Sequence, residues 1–296
     1  MRSWGPADGP VGPLATALAD CAAAGFTGVL TVIGAPGGTV HLVGGAVAAT
    51  ETSWSPSAEV ILLRSGRVAE SDWEAASTAA AVARGQLGAE LTRRGLIGAG
   101  ELEILLRTTL ADAMFAFAAG FIDTCRAEEG GVEHALALDP PADVGWLLGE
   151  ALRRTRVLAG FPGPPLRARD RVAAVPGVKR RGVLLGGGRD EILALADGRR
   201  TPRDLAFALG HGLYATMLQL ARMRGEGLIA PPARGVPSDP GAEAPQPATA
   251  RDNGTTDSGL PRRQKGRPAQ PPPPADTASR PLPAVRRLLR PRTEGH

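Results

Sequence analysis

Lysine is almost missing from this 296-residue sequence: Lys179 and Lys265 are the two present, and arginine supplies the remaining basic side chains. Together with heavy use of Ala, Gly and Pro, this reads as a bias of GC-rich coding, so arginine enrichment by itself says little about nucleic acid. Cysteine is nearly as scarce. Cys21 and Cys125 cannot make a disulfide framework or a metal site, and they read as small apolar core residues of a reducing compartment. No apolar run approaches the roughly 20 residues of a membrane helix. Leu18-Ala19-Asp20-Cys21 has the outline of a lipoprotein cleavage box, but Asp20 stands where a small residue is required and the preceding cation is a lone Arg2. The expectation is a cytoplasmic protein with no membrane contact.

The chemistry-bearing motifs are missing too. The histidines, His41, His134, His211 and His296, do not pair with Cys, Asp or Glu at metal-ligand spacing. There is no Gly-x-Ser-x-Gly elbow and no Cys–His partnership. Three consecutive glycines in Gly182–Gly188 precede a helix but lack the phosphate-loop wording, and Asp190 and Glu191 in the first turn would repel an anion. We therefore expect no enzyme, no cofactor and no bound metal.

What is present is architecture. Gly28–Thr52 holds three short apolar runs separated by Gly34–Gly38 and by Gly44-Gly45, the pattern of a β-meander with a two-residue hairpin. Leu14, Leu18, Cys21 and Ala22 repeat at helical spacing ahead of it. The first strand carries apolar residues on both faces, which predicts cover on both sides. His41 is expected to face outward. Ala58–Leu63 reads as a short helix, and Ser71-Asp72-Trp73-Glu74 as a capping box opening the next, which runs to about Ala83. The phrase Ser65-Gly66-Arg67-Val68 nearly recurs 29 residues later at Arg94-Gly95-Leu96-Ile97, predicting two similar corners side by side. Glu101–Ala119 predicts a helix with Leu102, Leu105, Leu110, Met114, Phe117 and Phe121 on one stripe. Phe121–Arg126 and Val132–Leu138 then flank Glu129-Gly130-Gly131 as a closing hairpin, and Asp143–Gly160 reads as a connector helix.

Taken together, Thr27-Gly28-Val29-Leu30, Val40-His41-Leu42-Val43-Gly44-Gly45, Leu62-Leu63-Arg64-Ser65-Gly66-Arg67-Val68, Leu87-Gly88-Ala89-Glu90-Leu91 and Arg94-Gly95-Leu96-Ile97 give residues 12–138 a form that resembles the PatA amino-terminal-like (PATAN) domain. Ala46 departs from the cation that family often places after the second-strand glycine. The resemblance implies a bacterial regulatory module without known catalysis, joined to signalling or output domains and working through protein contacts. No functional residues carry over with it.

Residues 170–230 predict a second small unit. Arg189–Ala196 is amphipathic. Thr201-Pro202-Arg203-Asp204 opens a helix with an N-cap Thr, a first-position Pro and an acidic third position, and Gly210 ends it. Leu213–Arg224 is a third helix, and Val183-Leu184-Leu185 could pair with Leu228-Ile229-Ala230. Strand, three helices and strand resemble a winged helix. At 100° per residue, Ala215, Thr216, Gln219, Arg222 and Met223 of the third helix point outward. Thr216, Gln219 and Arg222 are the candidate base contacts, and Arg199, Arg200, Arg203 and Lys179-Arg180-Arg181 the candidate phosphate contacts.

Beyond Pro231 the composition changes. Fifteen of the 27 prolines lie there, with 11 basic and 6 acidic residues, so the high pI belongs to this tail. It has too few aliphatics to offset ordering entropy and is expected to be disordered. Pro271–Pro274 suits a polyproline II turn, and Val285–Arg290 is a short basic, aliphatic motif.

The expectation is thus an α+β protein: a PATAN-like domain over 1–140, a connector over 141–169, a winged-helix-like domain over 170–230 and a tail over 231–296. The leading function is a non-enzymatic bacterial regulator binding a signalling protein. The alternative is a transcriptional regulator binding DNA. A homodimer fits either.

Overall fold

The chain opens with β1 (Arg2–Trp4) and α1 (Gly12–Ala23), followed by the meander β2 (Gly28–Ala35), β3 (Gly38–Val43) and β4 (Ala46–Thr52). The structure, a computed structural model, describes residues 2–5, 12–83, 86–131, 134–177 and 188–230. All of these belong to one compact unit, Met1–Asp239; a second, Pro240–His296, lies outside the described residues. So do the Lys179-Arg180-Arg181 cluster, the Val183–Leu185 segment, Gly182–Gly187 and the whole tail from 231 onward.

The fold is mixed α+β with an antiparallel sheet of order β1-β5-β2-β3-β4, in which β5 spans Phe121–Glu129. The meander forms as expected, because Gly44 and Gly45 both adopt positive φ and let the chain reverse in two residues. β2 runs further than expected. A bulge after Ile33 carries it across Gly34 and Ala35, which pair with Ile122 and Phe121. A side chain on Gly34 would collide with the Phe121 carbonyl, so this approach depends on glycine. Leu30 and Val32 are buried, whereas Val29, Thr31 and Ile33 are half-buried, so β2 has one fully covered face rather than two.

Helices α2 (Ala58–Arg64), α3 (Glu70–Ala83), α4 (Leu87–Arg93) and α5 (Ala99–Ala118) follow the meander. The two repeated corners are real. Arg67 N–H bonds to Leu62 O and Leu96 N–H to Leu91 O, with Gly66 and Gly95 both left-handed. Leu62 and Val68 in one, and Leu91 and Ile97 in the other, are buried, and Arg67 reaches Glu101 across the pair. The α3 cap differs from expectation. Ala69 O accepts from the N–H groups of Asp72 and Trp73, so the helix has begun before Ser71 can cap it. Burial of Val68 and Trp73 sets that start.

On α5 the stripe is wider than a single face. From Leu110 to Ala118 every residue is buried, Asp112 included. Leu105 is only half-buried, and Phe121 is 64% exposed because the chain has already turned into β5. The expected closing hairpin is not formed by described residues. Residues 134–138 are not a strand; Leu138 N–H instead bonds to Ala48 O, and Val132 lies outside the described residues.

Asp143 caps α6 (Val144–Ala159) by accepting from Trp146 N–H. The last third holds β6 (Ala173–Ala174), α7 (Arg189–Leu195), α8 (Pro202–Leu209), α9 (Leu213–Gly225) and β7 (Ile229–Ala230). β7 pairs with β6, upstream of the partner expected at Val183–Leu185. α8 follows its sequence signals closely. Thr201 accepts from Asp204 N–H, Asp204 accepts from Thr201 N–H, Pro202 is first, and Gly210 closes the helix in the left-handed region. Thr201→Ala should therefore lower stability by about 1 kcal/mol, read as a shifted midpoint in urea with an unchanged slope.

The main core gathers α1, β2 to β5 and α2 to α6, and a smaller one holds Val172, Ile192, Leu193, Leu205, Leu220, Met223 and Ile229. A third cluster joins α5 to α9 through Phe115, Ala116, Leu213 and Met217.

Candidate functional site

Six of the nine residues expected to meet DNA are described, and these six do not share a surface. Thr216 is 1% exposed, and its hydroxyl donates to Gly212 O within the helix. Met223, also expected to point outward, is fully buried. Arg203 crosses to the first half of the chain, donating from Nε to Ser53 O at 2.6 Å and lying over the Phe207 ring. Arg200 folds back on the Asp197 carboxylate and on Leu195 O. Gln219 is half-buried, leaving Arg199 and Arg222 exposed. The physical reason is that α9 is covered from two directions. Leu220 and Met223 enter the smaller core, while Leu213 and Met217 pack on α5.

The start of α9 explains how it is held there. Gly212 precedes the helix and offers no side chain to cap it. Asp112 of α5 takes that place: its Oδ1 accepts from Tyr214 N–H at 3.3 Å. A helix N-terminus favours a carboxylate through its free N–H groups and its dipole. Asp112 also accepts from Arg154 Nη1 at 2.6 Å, and Arg154 in turn donates to Glu150 and lies 4.8 Å from the centre of the Tyr214 ring. Asp112 is 2% exposed and Arg154 9%, so this is a buried ion pair at the meeting of α5, α6 and α9. A side chain on Gly212 would run into the Asp112 carboxylate, which accounts for the glycine. Burial pushes the Asp112 carboxyl up to about 6, against the pull of Arg154 and of the α9 backbone N–H groups. Neither Asp112 nor Arg154 was singled out from the sequence, although a lone acid inside the apolar run Leu110–Ala118 is a visible signal.

A second cluster was also missed. His41, Glu51 and His134 bring one ligand-type atom each within 4.8 Å of one another. His41 does not simply face outward: its ring is half-buried and meets His134 edge-on at 5.0 Å. Burial lowers the His41 pKa, His134 adds to this, and Glu51 opposes it. The histidines are 93 residues apart, so spacing could not reveal them.

Hydrogen bonding decides what the cluster can do. His134 Nδ1 accepts from Leu136 N–H at 3.2 Å, so in the neutral ring the proton sits on Nε2. Nε2 then donates to Glu51 Oε1 at 3.0 Å. Both ring nitrogens are committed, one to a backbone donor, which leaves neither a general base nor a lone pair for a metal. The pair instead braces residues 134–136 against β4. His41 contributes one buried, unpartnered Nδ1, which is not a ligand set. Among the described residues no helix is long and apolar enough to cross a membrane. No family model, curated protein or solved structure matches this chain.

Proposed function

We propose that this chain is a non-enzymatic bacterial regulatory protein that acts through protein contacts, with a PATAN-like first part and a winged-helix-like second part serving as scaffold. The observation that carries the reading is the capping of α9 by Asp112. A helix meant to enter a DNA groove must offer a free face. This one has its start fixed on α5 and its Thr216 face inside the protein. The glycine-turned meander and the repeated helical corner support the PATAN-like assignment of the first part. The committed hydrogen bonds of His134 favour binding over catalysis.

The contact surface we favour is α6, which exposes Trp146, Leu152 and Val157. Trp146 and Val157 stand three helical turns apart and so share a side. Large apolar residues left in water on one helix suit a partner more than solvent. In-cell crosslinking of the full chain should recover a partner, and Trp146→Arg with Val157→Arg should reduce that recovery at least tenfold without changing the melting temperature. Equal recovery with the double variant would refute the surface.

Among the described residues the transcriptional reading keeps Arg199, Arg222 and part of Gln219, too few for specific readout by that set. It predicts a DNA gel shift of the full chain that weakens steeply between about 50 and 200 mM salt. Such a shift, abolished by Arg222→Ala, would replace the reading proposed here.

A further inference from the structure

Between β4, the α2–α3 region, α5 and α8 the protein encloses a cleft of about 870 Å³. Clefts of about 300–1,000 Å³ are the size range of small-molecule sites. Its deep wall is apolar, built from Trp73, Leu87, Leu106, Leu110, Leu136 and Phe207.

The polar part of the lining is unusual in one respect. Thr50 and Ser55 both line the cleft, and neither hydroxyl has a hydrogen-bond partner. Ser55 is only 5% exposed. A buried hydroxyl without a partner costs free energy, and such groups in native proteins call for a missing donor or acceptor. Of the other lining hydroxyls, Thr52 donates to Gly37 O, Thr109 to Leu106 O, and Ser57 accepts from Val60 N–H, while Ser53 is exposed and Ser77 half-exposed. The two orphans thus mark where a bound molecule would be held.

The charges fix its class. Among the described lining residues Arg203 is the one cation, and its guanidinium is already turned to Ser53 O and Asp204. Glu51 and Glu59 stand exposed at the rim, where they would repel an anion. The described residues of the deep wall carry no charge. We infer that the cleft is a binding site for an uncharged, largely apolar small molecule, with a carbonyl or hydroxyl group received by Ser55 and Thr50. Because Arg203 and Phe207 belong to α8, such a molecule touches both halves of the described unit. This site is separate from the α6 surface and stands whether or not that surface binds a partner.

Nile red, a neutral flat aromatic with one carbonyl, is a suitable probe on the full chain. It should bind at one site per chain, with blue-shifted emission, saturation in the micromolar range and quenching of tryptophan fluorescence as Trp73 transfers to it. Ser77→Trp, which pushes a ring into the cleft from the half-exposed side of α3, should weaken binding at least tenfold. Ser55→Ala, which introduces no bulk, should weaken it about fivefold and carries the test if Ser77→Trp does not fold. Trp146→Gln, on α6, which contributes nothing to the lining, should change nothing. Unsaturable binding, or wild-type affinity in a folded Ser55→Ala and in any folded Ser77→Trp, would overturn the site. Tighter binding of the anionic dye anilinonaphthalene sulfonate than of Nile red would overturn the uncharged class.

Discussion

Asp112→Ala should lower the stability of the described unit by about 3–5 kcal/mol, the cost of stranding one partner of a buried ion pair. The variant leaves the Arg154 guanidinium buried with Glu150 as its remaining carboxylate, and it removes the acceptor for the Tyr214 N–H. Urea unfolding followed by circular dichroism measures it. A loss below about 1 kcal/mol would mean that α9 is held by its apolar contacts alone. Asp112→Asn keeps an acceptor for Tyr214 and should recover part of the loss. It also isolates a pH effect. With its carboxyl raised from 3.8 to about 6, Asp112 binds a proton more tightly folded than unfolded. Its contribution is fully present below 3.8 and is lost as pH rises through about 6. Between pH 7 and pH 4 the native chain should therefore gain about 2 kcal/mol relative to Asp112→Asn, at 1.36 kcal/mol per unit, with the rest arriving below pH 4. Glu150 behaves oppositely. Hydrogen bonds from Arg153 and then Arg154 hold it down to about 2, so its contribution is complete above 4.5 and fades toward pH 2. Both chains carry Glu150, and the comparison removes it.

Gly38→Ala is expected to cost about 3 kcal/mol, near the upper end for overpacking. The added methyl group would overlap the Glu51 carbonyl oxygen on β4 and press on the Phe117 ring from the other side. Neither neighbour can yield cheaply: one is backbone in a paired strand, and Phe117 is fully buried. If the chain accommodates the methyl by moving β4, Glu51 moves with it, and its contact with His134 should lengthen. A thermal melt of the variant beside Gly44→Ala, where a methyl group meets open space, separates crowding from the strain of a left-handed backbone.

Where the determinants are local, the sequence was legible. Thr201, Pro202, Asp204 and Gly210 lie within ten residues and set α8 at both ends without help from the rest of the chain. Gly44-Gly45 and the two Gly66 and Gly95 corners work the same way. Legibility failed where a second covering surface came from far away. A helical arc drawn for α9 assumes one buried side, yet α9 is buried on two, so Thr216 and Met223 were placed in water. Ser71 carries a sound capping pattern, but core burial of Val68 starts the helix earlier. His41 alternates outward from Val40 and Leu42 as expected, and then meets His134 from a segment 93 residues later. The cleft itself has no linear signature, since its walls come from six separate elements and two connecting segments.

A helix whose opening turn is completed by a carboxylate from another helix cannot be inherited alone. Residues 189–230, excised, would keep the self-contained α8 but leave the first turn of α9 frayed, with its free amides in water. Gene fusion or exchange at the 160–170 linker would then yield a poorly ordered fragment. Natural recombination of this architecture is accordingly expected to move α5, α6 and α9 together as one indivisible block.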